Sequence, residues 1–395
     1  MRTVFVNGTV VDAVGEKLVR SDFAVEGDRI VEIGESVATG EGDNVVDVTD
    51  KYLLPGFFNC HAHLGWDAKG IGDPGLQKQA EDPEELGSWR AAMNVRRSLA
   101  AGVTTVRDLG MNSTGPYAKR AIDEGLSPYL RLHIVGRALS MTGGHTWWCC
   151  READGVDDCR KAVREQAKLG ATWIKIMASH TLPQFTTEEL GAIVDEAHQG
   201  GLRVTAHATF DRAIRRVVEA GVDSVEHGGS VSPETIEMML EKGVWVVTTF
   251  SPIILQAEHG LEHGMSEADV KRRRDSMTDP TRFAGNKACA EAGVPIAFGT
   301  DAGSPLVPHD QVAPELQFMI QVGVCRDNWD ALRSLTVRPA RLLGLESDLG
   351  TLENGKMADV VVLNSDPSKA VSAVADIDRV FVKGRQAHPA SLSDL

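Results

Sequence analysis

At 395 residues the chain is long enough to bury a large core, and it suits one big α/β domain with a smaller companion. Hydrophobic residues at 42% and charged residues at 25% are ordinary for a soluble globular enzyme. A formal net charge of −15 argues against nucleic acid or an anionic membrane surface as a partner, because both demand concentrated positive charge.

The start, from Arg2 to Gly8, alternates like a strand and carries no apolar leader core, and no later segment is apolar enough to span a bilayer. A cytoplasmic protein is the expectation. Six cysteines (Cys60, Cys149, Cys150, Cys159, Cys289 and Cys325) show no CxxC spacing and read as free thiols. From Thr3 to about Val48, short alternating runs are split by Gly8, Gly15, Gly27 and Gly34, the pattern of a small antiparallel sheet. The stretch from Gly350 to Gly384 repeats that pattern, so residues 1–56 plus 349–395 are expected to form one small β-sandwich domain built from both ends.

Next comes Leu53-Leu54-Pro55-Gly56-Phe57-Phe58-Asn59-Cys60-His61-Ala62-His63, an apolar strand entered through a turn. His61 and His63 stand one residue apart and share a face in an extended strand, so they can grip one divalent cation from one side. An HxH triplet alone is a weak motif. From Phe57 to Leu345, helical stretches close on Gly and pass at once into β-branched strands, as at Gly102, Gly170, Gly221, Gly243 and Gly293. Candidate strands lie near Phe57–Cys60, Val103–Arg107, Leu130–Val135, Trp173–Met177, Arg203–Ala206, Asp223–Glu226, Val244–Thr248 and Pro295–Gly299. Their alternation with helices predicts an α/β (β/α)8 TIM barrel over residues 57–348. A doubly wound sheet lacks support, because no glycine-rich dinucleotide fingerprint follows the first strand.

Chemistry in such a barrel sits where the strands end. The first strand ends on His61 and His63, the fourth holds Lys175, the fifth and sixth end on His207 and His227, and the eighth on Asp301. Each has a dull explanation singly. Together they predict a metal site.

This series resembles the amidohydrolase superfamily, in the binuclear branch with a strand-four lysine. The likeness runs from Gly56–His63 to the tail Gly350–Asp359. The loop Gly136–His145 is similar to the prolidase and Xaa-Arg/Lys carboxypeptidase group, which includes ochratoxin and phenylurea hydrolases. The resemblance implies that His61, His63 and Asp301 bind the more buried metal and His207 and His227 the more exposed one. Lys175 would bridge the two as N6-carboxylysine. A lysine amine with a lowered pKa can add CO2, and two divalent ions sharing a water make hydroxide available near neutral pH. Zinc is the default for such an N/O site, with manganese and cobalt as alternatives. Asp301 would orient the bridging hydroxide, take its proton and pass it to the leaving nitrogen.

His145 follows Gly143-Gly144 in the loop after strand three, and the resemblance implies that it holds the substrate at its carboxylate or scissile carbonyl. Trp147 is a candidate pocket wall beside it. Many members of the group carry a Tyr shortly after the strand-six His; here Gly229-Ser230 stands there, and Ser230, a poor replacement for that Tyr, is kept as a candidate substrate contact. The loop Ala178–Pro183 is short, with His180 at its tip. His133 reads as a core residue, and His198 and the run Lys271–Arg274 as solvated helix faces, although the run could help gather an anionic substrate.

The expectation is a metal-dependent hydrolase, a homo-oligomer cleaving an amide-type C–N bond in a small, carboxylate-bearing peptide or N-acyl substrate. The alternative is a mononuclear deaminase or cyclic-amide hydrolase similar to imidazolonepropionase. Those relatives commonly place a Glu three residues after the strand-five His, where this chain has Phe210.

Overall fold

The computed structural model describes residues 2–69, 72–110, 114–279 and 281–389; Met1 and residues 390–395 of the expected two-ended domain lie outside the described residues. Eight parallel strands organise the middle: Phe57–Ala62, Val103–Asp108, Arg131–Ile134, Trp173–Met177, Arg203–Phe210, Ser224–Ser230, Trp245–Thr248 and Ile296–Phe298. They coincide with the runs read from sequence, except that strands five and six extend past His207 and His227. Between them lie amphipathic helices. Those ending at Ala220 and Lys242 stop on Gly221 and Gly243, whose left-handed backbone returns N–H groups to the last-turn carbonyls. Strand residues Ile174, Ile176, Val204 and Val225 pack with helix residues Ile193, Ile214 and Val217 in one buried cluster. Strands covered on both faces read as near-continuous apolar runs, which is why these were visible.

Strands three, two and one pair in that order, and strands four to eight form a second parallel run with two short segments, Leu139–Ser140 and Arg151–Glu152. Hydrogen bonds cross both seams. His63 N donates to Ala302 O (2.7 Å) and Asp301 N to His61 O (2.9 Å), while Thr172 N donates to Ile134 O (2.8 Å).

The ends of the chain build two further sheets. One has four strands from residues 2–47; the other has six, in the order Arg385–His388, Ile377–Val382, Val360–Leu363, Tyr52–Pro55, Thr9–Asp12, Lys17–Arg20. Phe5, Phe23, Leu53, Val360 and Phe381 share one apolar cluster, with Phe5 stacked on Phe23 at 4.5 Å. Tyr52–Pro55 is paired with Val360–Leu363 and runs through Gly56 directly into strand one. A Cβ on Gly56 would lie 2.1 Å from Thr104 Oγ1, so glycine is required at this junction. Asp359 fixes the same junction: its carbonyl accepts from Gly56 N (2.9 Å) and its carboxylate from Arg131 (2.6 Å). Among the described residues no helix is long and apolar enough to cross a membrane, and all six cysteines are free and buried.

Candidate active site

Parallel register decides which side chains meet. Lys175 pairs with Thr205, Met177 with His207, His207 with Glu226, and Ala208 with His227, so the strand ends step across one rim. His61, His63, Lys175, His207, His227 and Asp301 all line one cavity of about 560 Å³, within the usual range for a small-molecule site. The His61 and His227 rings lie 4.8 Å apart, and those of His207 and His227 4.6 Å.

Ligand atoms of His61, His63 and Asp301 lie within 4.8 Å of one another. Asp301 Oδ1 is 3.4 Å from His61 Nε2 and 3.1 Å from His63 Nε2, and it accepts from the Ser304 hydroxyl at 2.8 Å. The opposite ring nitrogens are occupied. His61 Nδ1 meets Glu226 Oε2 at 2.7 Å, His63 Nδ1 meets Gly110 O at 3.2 Å, and His227 Nδ1 meets Thr249 Oγ1 at 2.6 Å. Outer partners of this kind fix the tautomer and aim the free nitrogen, as metal-ligating histidines require. Burial pushes His61, His207 and His227 well below the usual histidine range, so the rings are neutral, the form that binds metal. Burial also lowers the Lys175 amine to about 8, with the Arg107 charge acting in the same direction. Burial raises Asp301, yet His61, His63 and Ser304 outweigh it and hold the carboxyl at about 2. The donor set therefore fits divalent cations.

His227 (φ 69°) and Asp301 (φ 59°) both adopt the left-handed region, which costs a non-glycine residue on the order of 1–3 kcal/mol.

A buried ion pair behind His61 escaped the sequence reading. Arg107 Nη2 donates to Glu226 Oε1 at 2.6 Å, Arg107 Nε donates to Cys60 O at 2.7 Å, and the guanidinium lies 4.6 Å above the Trp173 ring. Thr205 and Ser224 hydroxyls also donate to Glu226. The available signal was a charge inside an otherwise uncharged buried strand, in Val103-Thr104-Thr105-Val106-Arg107 and in Ser224-Val225-Glu226. In Glu226→Gln the Arg107 charge stays buried without its counter-ion, and stability is expected to fall by about 3–5 kcal/mol. Urea unfolding checks this, and an unchanged midpoint and slope would refute the pairing's importance.

His145 also lines the cavity. Its ring lies 4.5 Å from His207 and stacks on His180 at 5.1 Å, while its N–H donates to Gln184 Oε1 at 3.0 Å. The short loop Ala178–Pro183 thus brings His180 against His145. Two expected substrate contacts are not brought in. Ser230 is exposed and outside the cavity lining, because strand six runs on to pair Ser230 with Phe210 at its outer end. Trp147 is 47% exposed and also outside it; the turn Gly144–Trp147 sends it to solvent, and Trp148 instead stacks over Trp66 at 6.1 Å. His133 is half-buried in a separate surface cleft, and His198 is exposed and bridged to Asp223 at 3.0 Å. The helix Glu267–Thr278 is not a wholly solvated face: Arg272 and Arg273 line the cavity.

A family model described as the amidohydrolase family matches residues 52–387. Ochratoxinase from Aspergillus niger is 30% identical over 415 residues, covering 92% of this chain and 82% of its own. The crystal structure of a prolidase complexed with N-methylphosphonate-L-proline is similar at a TM-score of 0.85 and 31% identity, covering 98% of this chain and 99% of that one. A Xaa-Pro dipeptidase with bound methionine in its active site gives 0.86 at 27% identity, covering 98% and 99%. The matched span takes in every candidate ligand from His61 to Asp301, and the chain belongs to the amidohydrolase family.

Proposed function

We propose that this amidohydrolase cleaves an amide-type C–N bond in a peptide, N-acyl amino acid or related small amide bearing a carboxylate. The observation that carries the reading is one cavity that gathers the four candidate-ligand histidines, a buried lysine and Asp301, with the outer ring nitrogens of His61, His63 and His227 already tied down. The prolidase and Xaa-Pro dipeptidase likenesses support a substrate built on an amino acid. For the scaffold we favour a closed (β/α)8 barrel over residues 57–348, on the strength of the seam hydrogen bonds. A β-sandwich from residues 1–56 and 349–395 is supported by the apolar cluster that its two sheets share.

In this reading His61, His63 and Asp301 would hold one divalent ion, His207 and His227 a second, and carboxylated Lys175 would contribute an anionic ligand. Bound ions supply Lewis acidity, polarising the scissile carbonyl and activating water near neutral pH. Asp301 takes the water's proton on its carboxylate and delivers it to the departing nitrogen. Its Oδ1 is already engaged by Ser304, so we assign the proton to Oδ2. The lowered pKa makes the neutral amine of Lys175 more available, and that form adds CO2 with loss of a proton to give an anionic carbamate. His145, ring to ring with His207, is suited to the scissile group more than to a remote carboxylate.

Metal analysis of the protein purified without added metal is expected to give about two divalent ions per chain, because six ligands exceed what one catalytic ion takes. A screen of N-acyl amino acids, dipeptides, carbamates and lactams tests the reaction. One ion in fully active protein would overturn the binuclear assignment.

A further inference from the structure

A second recess, of about 240 Å³, opens from the main cavity between the ends of strands six and seven. The two share His207, His227, Asp301, Pro252 and Arg273. Its volume is below the ~300 Å³ at which whole-ligand pockets begin, so it accommodates part of a molecule. Resting on the reaction proposed above, we infer that this recess is the subsite for the amino-acid half of the substrate, and that Arg273 anchors its carboxylate.

Three features carry this. Position comes first: His145 lines the main cavity but not the recess, and the candidate ligands His207, His227 and Asp301 lie in the wall common to both. A substrate with its scissile bond over those ligands extends one half toward His145 and the other into the recess, and Arg273 stands at the junction. Charge comes second. The described lining of the recess contains two guanidinium groups, Arg273 and Arg282, and Asp301 as its sole acidic side chain. Asp301 already faces His61 and His63. Guanidinium offers a carboxylate two parallel N–H groups in a fixed plane, which makes arginine the better anchor for this group than lysine. The third is surface. Phe250, Ile253 and Phe283 give the recess an apolar side, with Phe250 and Phe283 edge to face at 5.1 Å, while Gly228 and Gly229 contribute bare backbone opposite. The group that fits is a carboxylate attached to a small apolar body, as in proline, leucine or methionine.

The test compares wild type, Arg273→Gln and Arg273→Lys on the N-acetyl derivatives of leucine, phenylalanine and proline and on their primary amides. Equilibrium binding is read by calorimetry and turnover by kcat/KM. Charge-assisted hydrogen bonds of this kind are worth about ten- to a hundredfold, and the wild type is expected to prefer the acids by that factor in both readouts. In Arg273→Gln the preference is expected to collapse to about threefold or less, through loss on the acids, and Arg273→Lys should restore part of it because charge remains without the planar fork. An acid-to-amide ratio unchanged in Arg273→Gln would overturn the assignment. So would an equal loss on acids and amides, which marks a packing role, or a wild type that binds both alike. Acid-selective binding that depends on Arg273, with no turnover of any compound, would leave the subsite standing and refute the proposed reaction. Turnover without acid selectivity would do the reverse.

Discussion

In Asp301→Asn, kcat is expected to fall by about two to four decades while the chain stays folded, the range that a positioned proton carrier contributes. The substitution is nearly isosteric, so the Ser304 hydroxyl keeps its acceptor, now 2.8 Å from Oδ1. The backbone also tolerates it, because Asn is among the few residues at ease at a φ of 59°. What the amide cannot do is accept a proton from water and return it to the leaving nitrogen. Loss of turnover could equally follow from loss of metal, since Asp301 is also a proposed ligand. Metal content measured on the same sample separates the two: retained metal with lost kcat isolates the proton role. An Asn variant within severalfold of wild type would assign the proton to another group.

Lys175→Ala is expected to cost on the order of a hundredfold or more in kcat/KM, because an anionic contact to a catalytic metal is worth several kcal/mol. Lys175 is 2% exposed, and its removal leaves a small hollow among His61, His207 and His227 rather than an open surface. The lost group is chemically a short carboxylate. Formate, acetate or propionate added at tens of millimolar should therefore recover a measurable part of the rate, with the smallest acids best. Full activity without added acid would make Lys175 a packing residue. No rescue by any acid, with metal content intact, would refute the carbamate.

The strand-end residues were legible because two periodicities are rigid. Alternation along a strand puts His61 and His63 on one face, and parallel pairing then brings residues at equivalent heights to one rim without any knowledge of helix packing. His207 needed no more than that, whereas His227 and Asp301 also take a left-handed backbone, and Asp301 lies just past the eighth strand. Other parts depend on contacts the chain does not announce locally. Glu226 and Arg107 are far apart in sequence and meet only because strands two and six both face inward. Ser230 and Trp147 lie outside the cavity lining because strand six runs on to pair Ser230 with Phe210 and Trp147 closes a turn with Gly144, pairings that a motif does not encode. Arg273 reads locally as one cation in a basic helix; only the path of the chain after strand seven carries it over the cavity.

The junction at Gly56 bears on how the protein is made. Tyr52–Pro55 leads straight into the strand carrying His61 and His63, yet one of its sheet neighbours, Val360–Leu363, comes from the opposite end of the chain. Ribosomes add about 5–20 residues per second, so the nascent chain holds that strand with an open edge for on the order of tens of seconds. Unpaired edges invite association with other chains. The histidine pair therefore acquires its final support only after Asp359 has emerged and received Gly56 and Arg131. Metal capture at the proposed ligands His61 and His63 would in this sense be a late event of biogenesis, timed by synthesis of the far sheet.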